Sequence, residues 1–138
     1  MITTLLVRHG EIDLPPTSSD PDLNAAGRAR AEALAHVAGS AGVATVFTSA
    51  LKRTKQTAGP LLDLLGIDVW EMPPPTVIVP RIAAGEFGQV VLIVGHSNTV
   101  PQVIAALGVP TPPVIGETDF DNLFVVTAGE LLRLKYGD

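Results

Sequence analysis

Two short apolar runs, each stopped by a histidine beside a glycine, constrain this chain more than any other feature. Residues Thr3 to Val7 are apolar and β-rich, and they end abruptly at Arg8-His9-Gly10. Residues 89–98, QVVLIVGHSN, repeat the arrangement, with His96 directly after Gly95. Runs this short, closed by a glycine, read as buried strands that end in tight turns. The carboxyl ends of strands in open α/β sheets are where ligands sit. Taken singly, His9 also reads as a partly buried strand-end imidazole with no special task. The recurrence is what favours a site, because two such ends can converge on one edge of a parallel sheet.

The intervening chain supplies helices. Residues 11–22, EIDLPPTSSDPD, carry the prolines, aspartates and serines of a surface loop. Within it, Glu11 is close enough to His9 in sequence to be a candidate site residue. Asn24 is a good N-cap for a helix running to about Ala38, with Ala31, Leu34, Ala35 and Ala38 as its core stripe and His36 off that stripe. A strand from Ala44 to Thr48 leads into a helix from Ala50 to Leu65, which Gly59-Pro60 should kink or break. Ile67 to Glu71 suits a short strand. Met72 and the three prolines after it should then exclude regular structure, with Thr76 to Val79 extended and Pro80 to Phe87 a short helix. Trp70 reads as a packing residue. After Val90 to Val94, Ser97 or Asn98 should cap a helix reaching about Leu107. Asn122 to Thr127 and Glu130 to Lys135 flank Ala128-Gly129 as a β-hairpin.

Strands alternating with helices, followed by a hairpin, predict a three-layer α/β/α sandwich with a mostly parallel sheet and an antiparallel C-terminal hairpin. Right-handed crossovers would bring successive strand ends to one edge. There is no internal repeat and no linker composition, so residues 1–138 read as a single domain.

Four blocks in order carry a resemblance: Arg8-His9-Gly10, then Leu23-Asn24-x-x-Gly27, then Thr48-Ser49-x-Leu51-x-Arg53-x-x-Gln56-Thr57-Ala58, then Gly95-His96-Ser97. The chain resembles the histidine phosphatase superfamily, also called phosphoglycerate-mutase-like, over almost its whole length. The resemblance implies that His9 attacks phosphorus and becomes a phosphohistidine that water hydrolyses. It also implies that Arg8, Arg53, His96 and Ser97 hold the phosphoryl oxygens. Those roles suit the residue types: neutral imidazole is a competent nucleophile near pH 7, and guanidinium forks match phosphoryl oxygens as lysine does not. The general acid is where the chain departs from the family pattern. The segment between the second strand and His96, where many members carry a glutamate, is short and broken by prolines, and neither Glu71 nor Glu86 in it has the family's setting; Glu11 and Glu71 are the glutamates to test for the role. The chain looks like a short, lidless member, similar in size to the small phosphatases that act on protein phosphohistidine.

Composition narrows the alternatives. Of the 138 residues 46% are apolar and 17% charged, which excludes disorder. No apolar run approaches a membrane span, and a net charge of −5 speaks against a broad nucleic-acid surface. The first strand starts too early to leave room for a signal peptide, so a cytoplasmic location is expected. Cysteine is absent, which excludes disulfides and thiol chemistry. Two histidines with arginines beside them are a poor metal site, and no metal or other cofactor is expected. The expected partner is a small phosphorylated substrate or a phosphoprotein, and nothing specifies an oligomeric state. A mutase of the same chemistry and a non-catalytic phospholigand-binding module are the two alternative readings.

Overall fold

Along Thr3–Arg8 (β1) the side chains alternate between two buried faces, so both faces of the sheet need cover. The computed structural model describes residues 1–137 and shows how that cover is supplied. The elements run β1, α1 (Ala25–Ala38), β2 (Thr45–Thr48), α2 (Lys52–Leu65), β3 (Val69–Glu71), α3 (Pro75–Ala83), β4 (Val90–Gly95), α4 (Thr99–Ala106), β5 (Asn122–Thr127) and β6 (Glu130–Lys135). The strands form one sheet in the order β3-β2-β4-β1-β5-β6. The first four are mutually parallel, β5 is antiparallel to β1, and β6 is antiparallel to β5.

The pleat sorts the core into two clusters. Leu5, Val7, Val46, Leu92 and Val94 pack against Leu34, Ala35 and Ala38 of α1 and Ala58 and Leu61 of α2. Leu6, Phe47, Val91 and Ile93 face the other way, onto Ile78 and Ile82 of α3 and Val100, Val103 and Ile104 of α4. This is the expected α/β/α sandwich with a mostly parallel sheet. Asn24 caps α1 through a bond from the Gly27 N–H to its side-chain oxygen at 2.9 Å. Ala128 and Gly129 both have positive φ, the two-residue turn that matches hairpin twist.

Three local expectations change. Gly59-Pro60 does not end α2, which stays helical from Lys52 to Leu65. Pro60 forfeits one backbone bond, while buried Ala58 and Leu61 keep this stretch anchored to the core. Residues 75–79 are helical rather than proline-broken and extended, so the helix expected over Pro80 to Phe87 starts earlier, at Pro75, and ends at Ala83. Pro75 opens α3 at its first position, where a missing N–H costs nothing. Pro80 and Thr76, one turn before it, are both exposed, so the carbonyl left unpaired there faces water. Finally, neither Ser97 nor Asn98 caps α4 with its side chain. Thr99 Oγ1 instead accepts the His96 N–H at 2.9 Å. Trp70 sits half-exposed on the edge strand, edge-on to Phe87 at 5.8 Å between ring centroids. That contact agrees with a packing role.

Candidate active site

β1 and β4 are adjacent and parallel, with Arg8 opposite Gly95 in register. Their carboxyl ends therefore deliver His9 and His96 side by side, and the two ring centroids lie 5.3 Å apart at an interplanar angle of 63°. His9 is buried. Its Nδ1 lies 2.7 Å from the Gly10 carbonyl oxygen. A carbonyl only accepts, so Nδ1 bears the proton and Nε2 keeps the lone pair when the ring is neutral. Burial is the main reason the ring stays neutral, with the charges of Arg8, His96 and Arg53 acting in the same direction. Together they lower its pKa from 6.5 to about 4, although the bond to Gly10 opposes the shift.

His96 Nε2 lies 2.9 Å from Ser49 Oγ, which is 2.7 Å from Thr54 Oγ1. Thr54 Oγ1 in turn donates toward the backbone carbonyls of Leu51 and Ser49, at 3.0 and 3.2 Å. With the threonine proton committed there, Ser49 donates to Thr54 and accepts from the Nε2–H of His96. Burial, then Arg53 and Arg8, lower the His96 pKa. The chain His96-Ser49-Thr54 thus sets which nitrogen of the second imidazole is protonated.

The Arg8 guanidinium is fastened on one side. Its Nη1 lies 3.0, 2.9 and 3.0 Å from the carbonyl oxygens of Gly116, Glu117 and Asp119. Its carbon sits 4.0 Å over the Phe120 ring. Arg8 Nε is buried without a hydrogen-bond partner, and so is Arg53 Nη1. Two unpaired cationic donors in a buried setting beside two imidazoles are an arrangement that calls for an anion. Burial lowers the Arg8 pKa, yet a guanidinium remains charged throughout the physiological range.

The segment carrying His9 is itself clamped. The Gly10 N–H donates to Thr57 Oγ1 at 2.8 Å, and that hydroxyl donates to the Arg53 carbonyl at 2.7 Å. Gln56 accepts from the Leu23 N–H at 2.8 Å and donates to Asp22 at 2.7 Å. Helix α1 begins hard against this turn: a Cβ at Gly27 would lie 2.2 Å from the Glu11 carbonyl oxygen. A side chain has no room there, which accounts for the glycine in the Leu23–Gly27 block.

Of the residues singled out from the sequence, the structure brings His9 and His96 into ring contact and sets Arg8 and Arg53 within electrostatic reach of both. Glu11 does not join them. Its carboxylate pairs in two-pronged fashion with Arg30, at 2.8 and 3.0 Å, and Arg30 also donates to the Tyr136 carbonyl. Burial pushes the Glu11 pKa up, but the Arg30 bond and charge outweigh it, so the net shift is downward. In that position the carboxylate ties loop, helix and C-terminal segment together. Glu71 is exposed on the edge strand, and Glu86 pairs with Arg81 at 3.3 Å. Ser97 is partly exposed in the turn after β4 and makes no side-chain hydrogen bond among the described residues. No group of three metal-ligating side chains occurs among those residues, and none of their helices is long and apolar enough to cross a membrane. Sequence reasoning missed Ser49, Thr54 and Thr57 as supports, though Ser49 and Thr57 are named in the quoted block and Thr54 falls at one of its open positions. It also missed Phe120, whose only cue is a loop folding back from the far end of the chain.

Solved structures share this fold at low sequence identity. The protein histidine phosphatase SixA, solved with tungstate, superposes with a TM-score of 0.74 at 20% identity, covering 98% of this chain and 96% of that one. A mycobacterial glucosyl-3-phosphoglycerate phosphatase gives 0.72 at 18% identity, covering 92% and 90%. No curated protein sequence matches the chain. Residues 4–74 match the family model of the histidine phosphatase superfamily (branch 1), a stretch that holds Arg8, His9 and Arg53, and the chain belongs to that superfamily.

Proposed function

We propose that this protein is a phosphatase that hydrolyses a phosphomonoester or a protein phosphohistidine through a phosphohistidine formed on His9. The observation that carries the reading is His9 itself: a buried, neutral imidazole whose tautomer leaves Nε2 unprotonated, next to two unpaired guanidinium donors. In the first step Nε2 attacks phosphorus. The bond from phosphorus to the leaving group breaks, and the electron pair leaves with that group. Arg8 and Arg53 take up the charge spread over the equatorial oxygens. Protonated His96, its Nε2 held by Ser49, has its Nδ1–H as the proton a poor leaving group needs. Bound phosphate dianion counters the burial and arginine charges that otherwise disfavour this cation. Water then displaces the imidazole and releases phosphate.

The test is rapid quench of the wild-type protein with a phosphorus-labelled aryl phosphate, beside His9→Ala. Label should appear on the wild-type protein in an acid-labile, base-stable form and be absent from the variant. The variant should turn over at least a thousandfold more slowly, on the order of what loss of a nucleophile costs, while inorganic phosphate still binds through the arginines. A His9→Ala protein that keeps near wild-type turnover would falsify the covalent route. A wild-type protein that binds phosphate but turns over no ester or phosphohistidine is instead a phospholigand-binding module.

A further inference from the structure

Strands β1, β4, β2 and β3 lie side by side in that order. His9, His96, Ser49 and Met72 therefore follow one another along the carboxyl edge of the sheet. At the far end of this row the chain passes through Pro73 and Pro74 into α3. Between that segment and α4 lies a cleft of about 280 Å³. Met72 and the three prolines form one wall, and Val100 and Val103 of α4 the other, while His96 and Ser49 belong to both cleft and site.

The chemistry of the lining is one-sided. Apart from His96, none of the described residues around the cleft is ionisable. The hydroxyl of Ser49 is spent on His96 and Thr54, and that of Thr99 on the His96 N–H. The remaining polar side chain is the amide of Gln102, on the exposed side of α4. A sugar or glycerate placed here would lose water from its hydroxyl or carboxylate groups and find few partners. An apolar group would lose nothing and gain contact. The volume exceeds the ~150 Å³ that takes a benzene ring.

We propose that this cleft is the leaving-group subsite and that the substrate class is a phosphate monoester of an uncharged aryl or alkyl group. The inference rests on the phosphatase reading above. The phosphoryl group sits on the His9 side of His96 and the apolar group on the β3 side. The bond to the ester oxygen breaks away from His9, and the released oxygen takes a proton, directly or through His96. The net reaction is ester plus water to alcohol plus phosphate.

Binding and turnover test this separately. In calorimetry, phosphonates from methyl to hexyl, together with phenylphosphonate, should bind two- to fourfold more tightly per added methylene, as burial of each group implies. Glucose 6-phosphate and glycerol phosphate should bind no better than inorganic phosphate. Gln102→Trp, which fills the mouth from an exposed position, should abolish the chain-length gain and leave phosphate affinity unchanged. Gln102→Glu should weaken phenylphosphonate more than phosphate. A flat phosphonate series overturns the subsite, and so does equal loss of phosphate and phenylphosphonate in Gln102→Glu. So does faster dephosphorylation of a phosphohistidine protein than of phenyl phosphate with Gln102→Trp without effect. If the series is flat while aryl phosphates turn over, the subsite fails and the phosphatase reading stands. A rising series in a protein without turnover keeps the subsite and removes the phosphatase.

Discussion

At the scale of the residue, the site depends on where two protons are kept. Gly10 holds one on His9 Nδ1, and Ser49 receives the other from His96 Nε2. Keeping His9 uncharged has a cost that the pH dependence of stability should show. In the unfolded chain an imidazole titrates near 6.5, whereas in the folded protein His9 does so at about 4. Below 6.5 the unfolded chain binds a proton that the folded chain refuses. Folding stability should therefore be complete above about 6.5 and fall as pH drops toward about 4, by up to about 3 kcal/mol from this group. His96, shifted in the same direction, adds to the slope. Urea midpoints at pH 7 and 4.5 should show His9→Gln losing much less stability than the wild type. Parallel losses in the two proteins would mean that other groups set the acid limb.

At the scale of the element, the motif residues around Arg53 act as fasteners. Thr57 and Gln56, consecutive residues of α2, take the backbone N–H groups of Gly10 and Leu23, so the helix is tied to the segments on either side of the loop after His9. The Glu11–Arg30 pair does the same for α1, with Arg30 bridging to the carbonyl of Tyr136 beyond β6. Arg30 is 7% exposed and Glu11 21%, so losing the carboxylate charge removes a two-pronged ion pair from a largely buried place. Glu11→Gln is expected to cost roughly 1–3 kcal/mol of stability, read as a lower thermal midpoint. Its effect on kcat should be small and equal for alkyl and aryl esters. A selective loss on alkyl phosphates, whose alkoxide needs a proton, would instead make Glu11 the general acid.

At the scale of the whole molecule, an acidic protein builds a cationic pocket. The net charge is −5, yet Arg8 and Arg53 project where strand and helix ends meet, and local field outweighs net charge. In the proposed mechanism guanidinium groups and His96 supply the counter-charge for phosphate, so turnover of an aryl phosphate should be unchanged in excess EDTA. A steady-state assay checks this. Activity that vanished with chelator and returned with zinc or magnesium would show that the arginines are insufficient.

Much of this was legible in the linear chain because it depends on periodicity and punctuation. Apolar runs ending in glycine marked β1 and β4, Asn24 marked the start of α1, and Ala128-Gly129 marked the hairpin, each through short-range backbone preference. Proline proved the unreliable mark. The same residue that breaks a helix inside can open one, and Pro75 and Pro60 were settled by their place in a turn and by the core packing around them. The pairing of the two histidines followed from topology, since only a sheet that sets β4 beside β1 brings positions so far apart in sequence into contact. Side-chain partnership was out of reach of sequence altogether. Glu11 stands two residues from His9, and what decides its role is a guanidinium from another element that reaches it first. Phe120 and the carbonyls around Gly116 meet Arg8 only because the chain folds back across the sheet edge. Local conformation follows from neighbours in sequence, whereas the charge and protonation of a buried group follow from neighbours in space.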